Sequence, residues 1–323
     1  MTTQSRYQLR SLSLGEILDE SFILFRESWL KLIVFQLIVF VPTALIEILV
    51  IRYIGNLALN YLNSGATSEE WGGGALVFLL SGGMSIFVIQ MIVAPVVGCV
   101  LTKAIADSYL SKRWGMRELV NAAIKYALPA IGLGVLVAGI WMLTICIPVS
   151  IGVSLAYVTV ATGSVSGLLT FVLYGLVAII FGVPALLGGI YVNLRFALAF
   201  CVMVLEDKKI VDSLSRSARL MSGRYWDAFS LWFVMFLISV LLGFVATLFV
   251  PSPSFEMLQS AQLRELVPQL VSSQSISTVL SEFMGMFSRT FIVICWTLYY
   301  FSTRCRREAF DLVMLSKSFV KRA

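Results

Sequence analysis

Long apolar runs alternate with short polar segments along most of the chain. A helix needs about 20 residues to cross a bilayer. Six runs reach or approach that length, at residues 30–51, 75–105, 127–160, 167–205, 226–250 and 283–303. Residues 126–194 carry no charge, and the turn-like stretch 159–167 divides them into two helices. The pattern predicts an all-α integral membrane protein with six transmembrane helices in a single polytopic domain, residues 1–323. Because the first ten residues are polar and the first run is long, no cleavable signal peptide is expected.

Three polar segments precede pairs of apolar runs and resemble one another. Asp19, Asn121 and Asp212 occupy equivalent places in them, each after two apolar residues and before small and apolar residues at helical spacing. This similarity predicts three repeats of one unit, an amphipathic interfacial helix followed by a two-span hairpin, at about residues 12–110, 111–205 and 206–315.

The first and third polar segments have the two faces of a helix that lies on a membrane surface. Ser13 and Glu16 form a capping box at the start of the first, and Gly223 is suited to end the third. Asp212 and Arg216 are spaced as an i,i+4 ion pair. The predicted apolar faces are Leu18, Phe22, Phe25 and Trp29 in the first segment, and Ile210, Val211, Leu214, Ala218 and Met221 in the third. Plain bilayer anchoring and a headgroup or partner site both remain open.

Composition supports the membrane assignment and sets the orientation. The chain is 59% hydrophobic and 13% charged, with a mean hydropathy of +0.92, whereas soluble domains are about a quarter charged. Of the 24 Lys and Arg residues, 21 fall in the four segments on one side of the predicted membrane. The excess of basic residues on the cytoplasmic side then predicts a multi-pass membrane protein with both termini cytoplasmic. The net charge of +6 reflects this topology and attraction to anionic lipids, and nucleic acid is not expected as a partner.

Several kinds of chemistry lack the residues they need. The chain has no histidine and no Cys-x-x-Cys pair, so neither a zinc or haem site nor histidine-based catalysis is expected. Its five cysteines lie outside the predicted outer loops and are interpreted as buried apolar filler. The sequence therefore predicts no cofactor.

A few ionisable residues lie inside or beside the predicted spans, where charge is costly. Glu47 and Arg52 are placed at the outer interface. Lys103, Arg195 and Arg304 close three spans at corresponding positions, either as independent anchors or as the walls of one cytoplasmic-face cavity for phosphate headgroups or carboxylates. The candidate polar cluster is Asp19, Lys103, Arg195, Glu206, Asp212, Arg216 and Arg304.

Small residues and prolines mark the expected helix contacts. Ridges of small residues allow close backbone approach, and prolines in mid-span kink a helix. The predicted ridges are Ala130, Gly134 and Ala138, then Ala185 and Gly189, then Ser239, Gly243 and Thr247. The predicted kinks are at Pro95, Pro148 and Pro184. Packing is the simpler interpretation of both features, and a cavity for a lipid or other amphiphile is the alternative.

The order and spacing of the charged motifs resemble a known family. The motifs SLGEILDESFILFRESW, NLRFALAFCVMVLE, SLSRSARLMSGRYWDAF and TLYYFSTRCRREAFDL are similar to the prokaryotic glycerophosphodiester phosphodiesterase membrane domain. The resemblance implies a stand-alone six-span protein. Ser302 stands where that family usually has an aspartate, and Ala309 where it usually has a glycine. The histidines and soluble barrel of the phosphodiesterase catalytic domain are absent from the sequence, so esterase activity is not expected.

These features favour a non-enzymatic accessory or scaffold protein. It would bind lipid headgroups, or another membrane protein, through its cytoplasmic-face amphipathic helices. The alternative function is a transporter or channel for a lipid or other amphiphile, which internal repeats and mid-span prolines also suggest.

Overall fold

The computed structural model describes residues 10–63, 68–110, 114–161, 172, 174–250 and 263–309. These residues form α-helices and one π-helical turn, and no strand occurs among them. Most of the predicted turn 159–167 and the outer segment 252–262 lie outside the described residues. The helices are α1 (Leu14–Asn63), α2 (Ser68–Tyr109), α3 (Met116–Ala161), α4 (Val183–Phe196), α5 (Ala199–Leu205), α6 (Ile210–Met221), α7 (Tyr225–Leu248) and α8 (Leu263–Glu308).

Six helical segments in the described part of the chain are long and apolar enough to cross a membrane. The prediction of six spans is confirmed at this level, and the fourth comprises the residues from Tyr174 through the π-helical turn together with α4 and α5. The segments are Leu14–Asn60, Phe87–Tyr109, Met116–Gly152, Tyr174–Leu205, Tyr225–Ala246 and Val267–Glu308. With 50 residues, α1 is about 75 Å long at 1.5 Å per residue, far longer than a bilayer is thick.

Successive spans run antiparallel, and so do α1 and α8. Along α1 and α8, contacts pair Leu12 with Ser302 at one end and the Gly55 backbone with Val271 at the other. The pairs α1/α2, α3/α4 and α7/α8 form hairpins, and α1 packs along α8 to join the first and last of them. We call the end of the bundle where α1 begins and α8 terminates the α6 end, because α6 lies there.

The structure differs from the predicted interfacial helices in two of three places. The first segment is the beginning of α1 and the second is the beginning of α3, each continuous with the span that follows. Only the third segment is a separate helix, α6. The difference follows from the residues after each segment: Gly223, at φ 75°, ends α6 in a conformation that glycine adopts without strain, and nothing comparable follows Trp29.

The predicted capping box at the start of α1 is confirmed. The Ser13 N–H donates to the Glu16 carboxylate at 2.7 Å, and the Glu16 N–H donates to the Ser13 hydroxyl at 3.4 Å. The face of α1 that packs on the bundle carries Ile17, Ser21 and Leu24. Of the predicted apolar face, Phe22 and Trp29 are exposed, whereas Leu18 and Phe25 are partly buried against the core, so that face is split.

The amphipathic helix α6 contacts the bundle through small and apolar residues on one side. Ser213, Ser217, Leu220 and Met221 are buried, whereas Val211 is exposed. The predicted apolar face is therefore split: part of it packs on the protein and part remains on the surface.

The first two predicted ridges of small residues lie at close contacts between helices. A Cβ at Gly134 would lie 2.6 Å from the Pro95 ring, and one at Gly189 would lie 2.9 Å from Ile145. The third ridge is only partly correct. Ser239 bonds Ser288 of α8 at 3.0 Å, but Gly243 has open space around it.

Pro184 lies two residues after the π-helical turn Ala178–Gly182. A proline in a helix has no N–H and its ring presses on the carbonyl four residues earlier, here Ile180, which lies inside that turn. A wider turn at this place accommodates the ring. The predicted disturbance at Pro184 is thus a local π-helical turn.

The main hydrophobic core lies in the half of the bundle nearest the α6 end. Leu24 of α1, Leu101 of α2 and Leu298 of α8 belong to it, together with Leu198 in the turn between α4 and α5. Elsewhere many large apolar side chains are exposed, among them Leu128 at 81%. A surface this apolar is typical of helices that face lipid.

Candidate functional site

An apolar cavity of about 490 Å³, partly open to the surface, is bounded by α2, α3, the α4–α5 segment and α8. Its wall is largely aliphatic and aromatic, including Phe87, Trp141 and Trp296. The polar side chains among its lining residues include Gln90, Thr102 and Asn193. Along α2 the lining extends from Phe87 to Thr102, which corresponds to about 22 Å at 1.5 Å per residue.

Small residues and a proline create the space for this cavity. Ala94 and Gly98 on α2 face Ala138 on α3, where larger side chains would fill the gap. Pro95 lines the cavity and packs on Gly134, so the predicted link between a mid-span proline and a cavity has a structural counterpart. Gly98 has no atom within 4 Å of the place where a Cβ would be.

A polar network adjoins the cavity near the end opposite to α6. The Gln90 amide nitrogen donates to Glu47 Oε1 at 2.8 Å and to Glu282 Oε1 at 2.6 Å. Arg289 Nη2 lies 3.4 Å from Glu282 Oε2. This network joins α1, α2 and α8.

The interpretation of Glu47 as an outer-interface residue beside Arg52 is wrong. Glu47 is 1% exposed and faces Gln90, on the inner side of α1. Five residues along a helix correspond to about 500° of rotation, so Glu47 and Arg52 point in different directions. The side chain is buried because α8 extends as a helix past Glu282 and covers it, which the apolar pattern of the sequence did not indicate.

A second polar group lies at the α6 end. We call it the Glu206 cluster: Glu206, Lys208, Arg216, Tyr300, Arg304 and Glu308. Glu206 accepts a hydrogen bond from the Tyr300 hydroxyl at 2.9 Å, and Lys208 and Arg216 lie at 3.1 and 3.4 Å from its carboxylate. Arg304 is 4.0 Å from Glu206 and 3.0 Å from Glu308.

Arg216 completes the cluster by pairing with Glu308 as well as with Glu206. Because Arg216 is on α6 and Glu308 is at the end of α8, this ion pair links the two helices. A further hydrogen bond of 3.0 Å runs from the Ser217 hydroxyl to the Arg195 carbonyl. That carbonyl lies at the end of α4. The chain turns there, and the Ala197 N–H donates to the Leu194 carbonyl, three residues earlier.

The loop between α5 and α6 contributes two carboxylates with lowered pKa values. Burial acts to raise the pKa of Glu206, but hydrogen bonds from Lys208 and Tyr300 and the guanidinium charges of Arg216 and Arg304 outweigh it, so the pKa lies below its usual value. Hydrogen bonds from Lys125 and Tyr126 lower the pKa of Asp207. Asp207 has a φ of 49°, which aspartate tolerates better than most residues.

A polar cavity of about 450 Å³ lies beside the Glu206 cluster. Lys103, Lys125 and Arg304 line it together with Asp107 and Asp207. Each of these cations has an acidic neighbour: Lys103 is 3.3 Å from Asp107 and Lys125 is 2.7 Å from Asp207. The charges of this cavity are largely balanced by the protein itself.

The structure brings together some of the seven predicted site residues and separates others. Glu206, Arg216 and Arg304 meet in the Glu206 cluster, and Lys103 shares the adjoining polar cavity with Arg304. Asp19, Arg195 and Asp212 do not join them.

The three remaining residues are exposed. Asp19 lies on the outer side of α1, and Asp212 lies at the start of α6, while its predicted partner Arg216 pairs with Glu206 and Glu308. The Arg195 side chain folds back along α4 to the Tyr191 hydroxyl at 3.3 Å. The predicted convergence of Lys103, Arg195 and Arg304 on one cavity is therefore wrong for Arg195.

Several residues of the Glu206 cluster, and of the polar network around Gln90, were not identified from the sequence. Tyr300, Arg304 and Glu308 follow one another at i,i+4 spacing, a signal that could have revealed one face of α8. Gln90 and Glu282 gave no such signal, because their proximity depends on how α2 and α8 pack.

No group of three or more His, Cys, Asp or Glu side chains in the described segments could hold a metal ion. No curated protein and no solved structure matches the chain. A family model described as a domain of unknown function (DUF7847) matches residues 111–299, more than half of the sequence. The chain therefore belongs to the DUF7847 family.

Proposed function

We propose that this protein is a non-enzymatic multi-pass membrane protein that binds a lipid or other amphiphile, with the alkyl chain held in the apolar cavity. The observation that carries the proposal is the cavity itself. Its volume of about 490 Å³ falls in the range of about 300–1,000 Å³ that is typical of small-molecule sites.

The shape and lining of the cavity support an alkyl chain as its occupant. The lining is mostly apolar and extends about 22 Å along α2, so an elongated apolar group would replace water there without unpaired polar contacts. Carriage of the amphiphile across or along the membrane is compatible with such a site, and this corresponds to the transporter alternative.

The cavity wall offers little for catalysis, which supports a binding role. Its polar side chains among the described residues are amides, a hydroxyl, a thiol and indoles. The carboxylates next to it, Glu47 and Glu282, lie behind Gln90 and are engaged by its amide nitrogen, and no titratable base lines the wall beside them. We propose that no cofactor is needed.

A second candidate function, an accessory or scaffold role, rests on the surface of α6. Lys209, Arg219 and Val211 are exposed there, beside a Glu206 cluster that holds the helix in place. Basic residues near an anionic membrane surface contribute about 1 kcal/mol each. Membrane lipid headgroups, or another membrane protein, would be the partner.

We further propose that the α6 end faces the cytoplasm and that the protein resides in a prokaryotic cytoplasmic membrane. The positive-inside bias of the sequence supports this orientation. The proposal of three repeats, each with a helix hairpin, is supported by the hairpins α1/α2, α3/α4 and α7/α8.

Native mass spectrometry of the purified protein tests amphiphile binding. We expect co-purified lipid on the wild-type protein and its loss from Gly98→Phe, which places a ring in the cavity from a position where a Cβ meets no atom within 4 Å. Gly243→Phe is the matched control, because Gly243 also has open space around it but lies outside the cavity on α7. Equal lipid occupancy in all three proteins would refute the proposal.

A further inference from the structure

The orientation of the Gln90 amide is fixed by its two partners. Glu47 and Glu282 are carboxylates, which only accept hydrogen bonds when ionised. The amide nitrogen must therefore face them, and both of its hydrogens are used at 2.8 and 2.6 Å. What remains is the Gln90 carbonyl oxygen, which accepts no hydrogen bond from the side chains and backbone that the structure describes.

Gln90 is also the member of this network that lines the apolar cavity. Phe87, one turn earlier on α2, lines the same region. Because the amide nitrogen is engaged by the two carboxylates, the carbonyl oxygen is the polar atom of Gln90 left for a group in the cavity, near Phe87. A ligand group placed there must carry an N–H or O–H donor, since an anionic oxygen would meet the carbonyl oxygen without a shared proton.

Among the described residues, the network behind Gln90 holds more acidic than basic side chains. When both are ionised, Glu47 and Glu282 carry two negative charges, and Arg289 supplies one positive charge 3.4 Å from Glu282. Glu47 is almost fully buried, and a buried charge without a counter-charge is costly. A positive group at the adjacent cavity end would offset that excess, whereas a phosphate or carboxylate would increase it.

We infer that the cavity binds an amphiphile with an amine head group, whose ammonium donates to the Gln90 carbonyl while its alkyl chain lies along α2. The inference rests on the proposed function and names its ligand class. A protonated amine combines the required donor with the required charge, and an aromatic side chain nearby, Phe87, can attract a cation as well. A head group with only a hydroxyl would donate to the Gln90 carbonyl but would not offset the negative charge of the carboxylates.

A competition experiment tests the head group separately from the chain. The full-length protein, in a neutral detergent at pH 7, is mixed with equal amounts of dodecylamine, 1-dodecanol and dodecanoate, and the adducts are counted by native mass spectrometry. We expect about ten times more adduct with dodecylamine than with dodecanol, because one unscreened charge interaction can change the affinity by that factor. Dodecanoate should give the least adduct.

Two variants separate the possible outcomes. Glu282→Gln removes one charge while its oxygen still accepts from Gln90, so the preference for amine over alcohol should fall by about tenfold. Asp227→Asn, an exposed carboxylate far along the chain at the start of α7, should leave the preference unchanged. Equal binding of amine and alcohol, or a preference for dodecanoate, would overturn the head-group inference.

The Gly98→Phe variant shows whether the proposed function fails as well. If Gly98→Phe loses all three adducts but the wild-type protein shows no preference for the amine, the cavity binds alkyl chains and the head-group inference is refuted. Adducts that survive in Gly98→Phe would refute the cavity as the site and both proposals with it.

Discussion

The hydroxyl of Ser302 bonds both backbone groups of Leu12. It accepts from the Leu12 N–H at 3.0 Å and donates to the Leu12 carbonyl at 3.1 Å. Both residues are buried, so the end of α8 holds the segment that leads into α1. The resembling family usually has an aspartate at the position of Ser302, and an ionised carboxylate could accept from the N–H but could not donate to the carbonyl.

Ser302→Ala should lower the free energy of unfolding by about 1–3 kcal/mol, because two buried backbone groups lose their partner. Thermal or denaturant unfolding of the purified protein in detergent measures the change. Ser230→Ala is the matched control, since the Ser230 hydroxyl bonds only the Trp226 carbonyl on an exposed helix surface. A similar loss in both variants would contradict the role given to Ser302.

Ala309→Gly should stabilise the protein by about 1 kcal/mol. Ala309 follows the end of α8 with a φ of 47°, a left-handed conformation that costs an L-residue about 1–2 kcal/mol and glycine almost nothing. The glycine usual in the resembling family would fit this backbone. The control is Ala218→Gly within α6, where the same change should destabilise by about 1 kcal/mol. A lower unfolding temperature for Ala309→Gly would disprove the expectation.

The Glu206 cluster should couple α6 energetically to α8. A double-mutant cycle between Arg216 and Glu308 should give a coupling of about 0.5–3 kcal/mol in the free energy of unfolding. Arg195 and Asp212 have separate surroundings, so the corresponding cycle should be additive. The single change Arg195→Ala should cost less than Arg216→Ala, and the reverse order would show that the cluster does not fasten α6.

Stability should fall at acid pH through Glu206 and Asp207. Both have folded pKa values below their unfolded values of about 4.3 and 3.9, so they bind fewer protons when folded. Their contribution is complete above the unfolded pKa values and is lost as the pH falls from about 4 through the folded pKa values. The measurement is the unfolding temperature from neutral to acid pH.

The double variant Glu206→Gln and Asp207→Asn provides the control for that titration. Other carboxylates also titrate at acid pH, so the variant should still lose stability, but less than the wild-type protein over the same interval. Parallel curves for the two proteins would mean that neither carboxyl contributes through its ionisation.

Cysteine labelling in intact cells tests the proposed orientation. Single cysteines at Asn63 and at Lys209, in a protein without its five native cysteines, both occupy exposed positions at opposite ends of the bundle. A membrane-impermeant maleimide should label only the cysteine at position 63. Labelling at position 209 would place the α6 end outside the cell.

The sequence by itself determined that the described chain is helical and that six of its segments are long and apolar enough to span a membrane. Apolar runs of bilayer length predict helices because an exposed backbone cannot satisfy its hydrogen bonds in lipid, and this constraint is independent of packing. The capping box at Ser13 and the stop at Gly223 were also predictable, since both depend on local backbone chemistry. The i,i+4 series Tyr300, Arg304 and Glu308 was visible in the same way.

Tertiary structure alone decided which polar residues meet. Glu47, Gln90 and Glu282 come from three helices far apart in the chain, and their contact depends on the rotation and depth of each helix. Those quantities are set by side-chain packing, such as Gly134 against Pro95, and an apolar pattern does not encode them. For the same reason Arg195, which sequence spacing grouped with Lys103 and Arg304, points away from both: the turn after Phe196 directs its carbonyl to Ser217 and leaves its side chain beside Tyr191.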